Sequence, residues 1–154
     1  MEDGFASFVP ELPMNYWLMK SEPSSFSLDD LKCRPNSTEH WDGVRNYQAR
    51  NFMRAMKKGD LAFFYHSGSE KACVGIVKVV AEAHPDSTDG QWECVDVAAV
   101  AALPRPVTLA EIKATPQLKE MVLVRNSRLS VQPVTASEWG KVCTLGGLED
   151  PPTA

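Results

Sequence analysis

The sequence predicts one α+β domain, a mixed and mostly antiparallel sheet of about five short strands that curls towards a barrel, with several short helices around it. Three observations carry this prediction. The chain has 154 residues, inside the usual one-domain range of roughly 100–200, and its 44% hydrophobic content is enough for one continuous core. Strand-length runs of β-branched and aromatic residues alternate irregularly with helix start signals, without a regular β-α-β rhythm. No glycine-rich phosphate loop of either common type is present, which argues against a doubly wound sheet.

The strand candidates are Tyr16 to Lys20, Leu61 to His66, Cys73 to Ala83, Trp92 to Ala101 and Leu129 to Val131. Ser67 to Lys71 reads as a hairpin connection between the second and third of these. Three helices announce themselves by a capping pair inside a hydrophobic staple: Ser27 with Asp30 between Phe26 and Leu31, Thr108 with Glu111 between Val107 and Ile112, and Thr135 with Glu138 between Val134 and Trp139. A fourth helix starts at Asn46, carries Ala49, Phe52, Met53 and Met56 at helical spacing, and closes on Lys57, Lys58 and Gly59. Arg50, Arg54, Lys57 and Lys58 fall on a different face from that apolar stripe. Pro85 to Gly90 is the clearest surface loop.

Residues 1–14 combine acids with no base and are interrupted by Pro10 and Pro13, which is not the pattern of a secretory signal. They and the tail 149–154, with Pro151 and Pro152, are expected to be flexible, leaving a domain at 15–148. No apolar run approaches the roughly 18 residues of a membrane-spanning helix, so no membrane partner is expected. The four cysteines show no C-x-x-C or Cys/His pairing, which fits a reducing, intracellular setting; Cys73 and Cys94 read as small buried hydrophobes.

A net charge of −4 excludes a protein that coats nucleic acid by charge alone. The distribution is uneven, however: Val44 to Gly59 holds five bases and no acid, a local positive face on an acidic body.

Four segments carry candidate chemistry. In Glu39 to Arg50, Trp41 stands directly before an Asp-Gly turn and a helix start, an arrangement suited to stacking a planar ring and gripping its phosphate. The plainer reading of Trp41 is a core residue with a satisfied indole N–H. In Phe63-Phe64-Tyr65-His66-Ser67, strand alternation sends Phe64 and His66 one way and Phe63, Tyr65 and Ser67 the other, so one set fills the core and the other faces a cavity. Lys20-Ser21-Glu22-Pro23 turns a hydrophobic strand abruptly polar, delivering hydrogen-bonding groups to a ligand's edge. Val124 to Val134 is basic and free of acids; it and the Lys20 segment also read as ordinary solvated turns. Ser21, His66 and Asp42 make a hydrolase triad only on paper, since no G-x-S-x-G elbow surrounds Ser21. His40, His66 and His84 lack helical or finger-like ligand spacing, so neither metal nor cofactor is expected.

Five stretches, Tyr16 to Pro23, Trp41 to Phe52, Gly59 to Ser67, Leu103 to Leu109 and Arg128 to Val134, together resemble the EVE domain across nearly all of residues 15–148. The resemblance implies a pseudobarrel of the PUA-like superfamily, related to the YTH and ASCH domains. It further implies a monomeric, non-catalytic reader of a flipped-out modified base, favouring DNA with 5-methylcytosine or its oxidised forms, and a nuclear rather than cytosolic address. Carried over by matching words, the pocket comprises Lys20, Ser21, Trp41, Val44, Asn46, Phe64, Tyr65, His66 and Ser130, with Trp41 and a strand aromatic on the two faces of the base. Arg45, Arg50, Arg54 and Arg128 are then phosphate or rim contacts. Alternative readings are a modified-base reader of RNA, a small nucleotide hydrolase and a protein-interaction module. The stretch from His84 to Gln91 is shorter than in many EVE domains, so strand contacts made there do not transfer.

Overall fold

Alternating burial along the strands decides the architecture. The computed structural model describes residues 16–86 and 91–153; the segment 1–14 and most of the predicted 85–90 loop lie outside the described residues. In chain order the elements are β1 (Tyr16–Ser21), α1 (Leu28–Lys32), β2 (Thr38–His40), α2 (Tyr47–Ala55), β3 (Leu61–His66), β4 (Ala72–Pro85), β5 (Glu93–Thr108), α3 (Leu109–Ala114), α4 (Val122–Arg125), β6 (Val131–Val134) and α5 (Ala136–Leu145). The strands form one sheet in the order β2-β5-β4-β3-β1-β6. Only β1 and β3 run parallel; the other neighbouring pairs are antiparallel. The sheet curls without closing, with β2 and β6 as its edges. Repeated register shifts between β4 and β5 supply the bending that such long strands need.

All four predicted helix starts are capped as their spacing requires. Ser27 and Thr135 make reciprocal capping boxes with Asp30 and Glu138. The Thr108 hydroxyl accepts from the Glu111 N–H at 3.1 Å, and the Asn46 side-chain oxygen accepts from the Ala49 N–H at 2.8 Å. The Ser67–Lys71 connection joins antiparallel β3 and β4, as expected of a hairpin. Two elements had no signal: β2 is three polar residues held by pairing to β5, and α4 is one turn with no side-chain cap. The last strand begins at Val131, later than predicted, because the Leu129 N–H turns back to the Asn126 carbonyl.

The expected single core is two cores, one on each face of the sheet. Trp17, Met19, Ala62 and Phe64 enter one with Leu28, Trp41, Met53 and Val97; Leu18, Leu61, Phe63 and Tyr65 enter the other with Ile112, Leu123 and Trp139. Every residue of β3 is buried, so neither of its faces is left for solvent. Asp60 is the polar anchor of the first core. Its Oδ2 accepts from the Trp17 indole N–H and from the Lys57 backbone N–H, both at 3.0 Å, fixing the end of α2 against β1. On the opposite side Trp139 stacks on Phe63 with centroids 4.0 Å apart, and its indole N–H donates to the Pro152 carbonyl at 2.9 Å. Pro152 of the tail is thereby in contact with the second core.

Replacing Asp60 by Ala strands the buried Trp17 indole N–H and the part-buried Lys57 N–H, and an unsatisfied buried group costs roughly 1–3 kcal/mol. Urea unfolding is expected to show Asp60→Ala less stable by about 2–4 kcal/mol with an unchanged denaturant slope.

Candidate functional site

A cavity of about 450 Å³ opens where the ends of β1 and β2 meet the turn that follows β2. Residues Trp41 to Arg45 form its wall, and polar contacts hold this turn. The Trp41 N–H donates to the Val95 carbonyl at 2.7 Å, continuing the β2–β5 pairing. The Gly43 N–H donates to Oδ2 of the buried Asp86 at 3.1 Å, and the Arg45 guanidinium reaches the same oxygen at 3.1 Å. Asn46 then caps α2. Gly43 has φ +77, a left-handed conformation that a side chain disfavours, so glycine is what lets the chain turn there.

Trp41 is 7% exposed and packs edge-on against two rings, Phe64 at 5.3 Å and 87° and Phe26 at 6.3 Å and 76°. Its remaining surface belongs to the cavity, beside Phe26 and Val44. The polar part of the lining is Lys20, Ser21 and Ser130, with Arg34, Glu39, His40, Asp42 and Arg45 towards the opening. The Ser21 hydroxyl donates to the Phe26 carbonyl at 2.5 Å, so its proton is committed and its oxygen keeps only acceptor capacity at the cavity. The Lys20 ammonium donates to the Ser127 carbonyl at 2.5 Å, which leaves it further donors. Partial burial lowers the Lys20 pKa from its ordinary value. The cavity thus offers acceptor and donor groups side by side, next to an indole.

Of the residues predicted from sequence, Lys20, Ser21, Trp41, Val44, Arg45 and Ser130 line this cavity together. Four others do not. Phe64 is fully buried beneath Trp41 and touches its ring, so no base fits between the two, and the opposed aromatic walls expected from sequence are not formed. Tyr65 belongs to the core on the other face of the sheet, where burial pushes its phenol up to about 12. His66 is consumed structurally: its Nε2 accepts from the Leu28 N–H at 3.1 Å, which makes Nδ1 the protonated nitrogen, donating to Glu70 at 2.8 Å. Asn46 uses its side-chain oxygen as the α2 cap rather than on a ligand. With both His66 nitrogens engaged and the Ser21 proton on Phe26, the paper triad of Ser21, His66 and Asp42 has no proton relay.

The rim arginines divide in the same way. Arg45 lies at the cavity and over Trp92, its guanidinium carbon 5.6 Å from the ring centroid. Arg50 sits against Tyr47 and Trp92 at 4.9 and 5.5 Å. Arg54 is paired with Glu93, and Arg128 is exposed on the loop before β6. Sequence reasoning left Phe26 and Arg34 aside and, although it singled out the Glu39 to Arg50 segment, did not assign Glu39 or His40 to the pocket. Phe26 was legible only as a helix staple, and the other three arrive through the short strand β2 and the turn leading into it.

A profile of the EVE domain matches residues 15–145. The chain belongs to the EVE domain family. This EVE domain is 44% identical over 169 residues to thymocyte nuclear protein 1 of Mus musculus, covering 88% of this chain and 75% of that protein. A crystal structure from Agrobacterium tumefaciens superposes on the EVE domain with a TM-score of 0.87 at 54% identity, over 90% of this chain and 97% of that one. That of human THYN1 in complex with 5-methylcytosine-containing DNA superposes with a TM-score of 0.81 at 41% identity, over 87% and 98%. The PUA-like fold extends to an ASCH protein of Zymomonas mobilis, alike in fold alone at a TM-score of 0.54 and 12% identity. Among the described residues no helix is long and apolar enough to cross a membrane.

An NMR titration of the Lys20 ammonium is expected to give a midpoint below 10.5, because burial disfavours the charged form. A midpoint at the ordinary lysine value would mean that the group stands in bulk water.

Proposed function

We propose that this chain is a non-catalytic reader of a modified DNA base, 5-methylcytosine or one of its oxidised forms, which it takes flipped-out into the cavity beside Trp41. The observation that carries the reading is that cavity itself. Its volume of about 450 Å³ lies in the range typical of small-ligand sites, roughly 300–1,000 Å³, and donor, acceptor and indole surface converge on it. The complex of human THYN1 with 5-methylcytosine-containing DNA supports DNA as the partner.

In this reading the extruded base rests on Trp41 and Phe26, not between Trp41 and Phe64. Cytosine presents an exocyclic amine as donor and ring acceptors beside it. The Ser21 oxygen, its own proton spent, suits the amine, and the Lys20 ammonium suits an acceptor. Arg45, held by Asp86, and the basic face of α2 suit the flanking phosphates. Extrusion costs a few kcal/mol, stacking returns on the order of 1–3 kcal/mol per base, and a buried methyl adds about 0.8 kcal/mol. A methyl group alone therefore gives about fourfold discrimination. The protein acts as a monomer on nucleic acid, needs no cofactor, and the name of its mammalian relative favours the nucleus over the cytosol.

The test is equilibrium binding to matched oligonucleotides with cytosine or 5-methylcytosine, at several salt concentrations. The parent is expected to prefer the modified strand by about fourfold or more, with affinity falling steeply as salt rises. Ser130→Leu puts an apolar branch into the cavity without removing core packing, and is expected to abolish the preference at an unchanged unfolding midpoint. Trp41→Ala is expected to abolish it too, with a loss of stability because the indole is largely buried. Equal affinity for both strands, or a preference that survives Ser130→Leu, would reject the assignment. Stronger competition by a methylated RNA would transfer the same cavity to the RNA reading.

A further inference from the structure

The strand edge behind the cavity carries a second set of chemically capable residues. His40, His84, Cys94 and Asp96 each bring one ligand atom into a group whose members all lie within 4.8 Å of one another. Their convergence follows from the sheet. Cys94 and Asp96 are two apart on β5, so their side chains leave the same face. The neighbouring strands supply the rest: His40 of β2 is the register partner of Asp96, and His84 of β4 is the register partner of Cys94. Three adjacent strands thus aim two imidazoles, a thiol and a carboxylate at one point, beside a cavity of about 250 Å³ lined by His40, Asp42, His84, Pro85 and Cys94.

We propose that His40, His84, Cys94 and Asp96 form a binding site for a thiophilic divalent metal ion, zinc above all. Two nitrogens, one sulfur and one carboxylate oxygen are donors that zinc takes in four-coordinate sites. Zinc bonds of about 2.0–2.3 Å at tetrahedral angles put ligand atoms about 3.3–3.6 Å apart. Here the Asp96 Oδ1 lies 2.6 Å from His40 Nδ1 and 2.8 Å from His84 Nε2, and the Cys94 sulfur lies 3.8 Å from His84 Nε2. Ligation requires those spacings to change by about half an ångström, with the metal replacing the two histidine–carboxylate hydrogen bonds, and requires the widest pair to close.

Burial, with Asp96, Asp86, Asp42 and Glu93 around it, pushes the Cys94 thiol up to about 11. A cation offsets that negative field and stabilises the thiolate, releasing a proton as it binds. The Asp96 Oδ1 already lies within hydrogen-bond distance of both imidazoles, which puts the carboxylate at the centre of the group. Since His40 and Asp42 also line the larger cavity, a bound ion fixes one of its walls. The proposal rests on the strand register and holds whatever that cavity accepts.

Untagged, reduced full-length protein is titrated with zinc chloride against a chelator of known affinity, and with cobalt(II) followed by absorbance. Cys33→Ser removes the exposed thiol as a source of surface binding. The expected result is one zinc per chain, a tetrahedral cobalt spectrum with a thiolate charge-transfer band, and a zinc-dependent rise in the unfolding midpoint, all kept in Cys33→Ser. Cys94→Ser and His84→Ala are expected to weaken zinc at least about tenfold and to lose the charge-transfer band or the midpoint shift. Circular dichroism confirms that these variants fold, and Asp96→Asn serves in place of any that does not. Absence of stoichiometric binding, loss of binding in Cys33→Ser, or undiminished binding in the folded ligand variants would overturn the proposal.

Discussion

The turn from Trp41 to Asn46 is held by one buried carboxylate, and the cavity depends on it. Asp86 accepts from the Gly43 N–H and from the Arg45 guanidinium, so a single oxygen fixes the backbone just after the tryptophan and the cation just beyond it. The other two restraints are backbone pairing of Trp41 to Val95 and the Asn46 cap on α2. Trp41 already packs against Phe26 and Phe64; without this bracing the turn would be free to fold over the indole's remaining exposed edge, since burial of an aromatic is worth more than an empty space beside it. A preformed opening next to a largely buried tryptophan is thus maintained by polar contacts, against the tendency of the apolar core to close it.

A sheet buried on both faces explains why the site lies where it does. Because β3 is covered on either side, its aromatic residues become core and floor, and polar ligand contacts arise only where strands end. Lys20 and Ser21 lie at the end of β1, the Trp41 turn follows the end of β2, and Ser130 precedes β6. Loops and strand ends carried on a rigid sheet are where binding groups are commonly found. The same logic places the His40, His84, Cys94 and Asp96 group at the β2 edge, where three strands run side by side before the sheet ends.

Much of this was legible in the sequence because its determinants are local. Capping pairs such as Ser27 with Asp30 and Thr135 with Glu138 have fixed spacing, so their helices start where read. Strand alternation correctly separated Phe64 from Phe63 and Tyr65; it was silent on whether a second layer covers the other face. The half of the pocket that was legible, Lys20, Ser21, Trp41, Val44 and Ser130, sits on the segments with abrupt polar or turn character. What was not legible depends on partners far along the chain. His66 looked available until the Leu28 N–H, 38 residues away, took its Nε2. Phe26 and His40 reach their positions through tertiary packing, and ligands at 40, 84, 94 and 96 have no spacing motif because sheet register, not helical or finger periodicity, brings them together.

The central claim is that the base meets Trp41 in the cavity rather than the more exposed aromatic face of Tyr47 and Trp92, which also carries Arg50. The most direct measurement is an isotope-filtered NOE experiment on the protein bound to an oligonucleotide with a carbon-13-labelled 5-methylcytosine methyl group. The account predicts contacts from that methyl to the Trp41, Phe26 and Val44 protons. Contacts to Tyr47 and Trp92 instead, or none within the cavity, would contradict it.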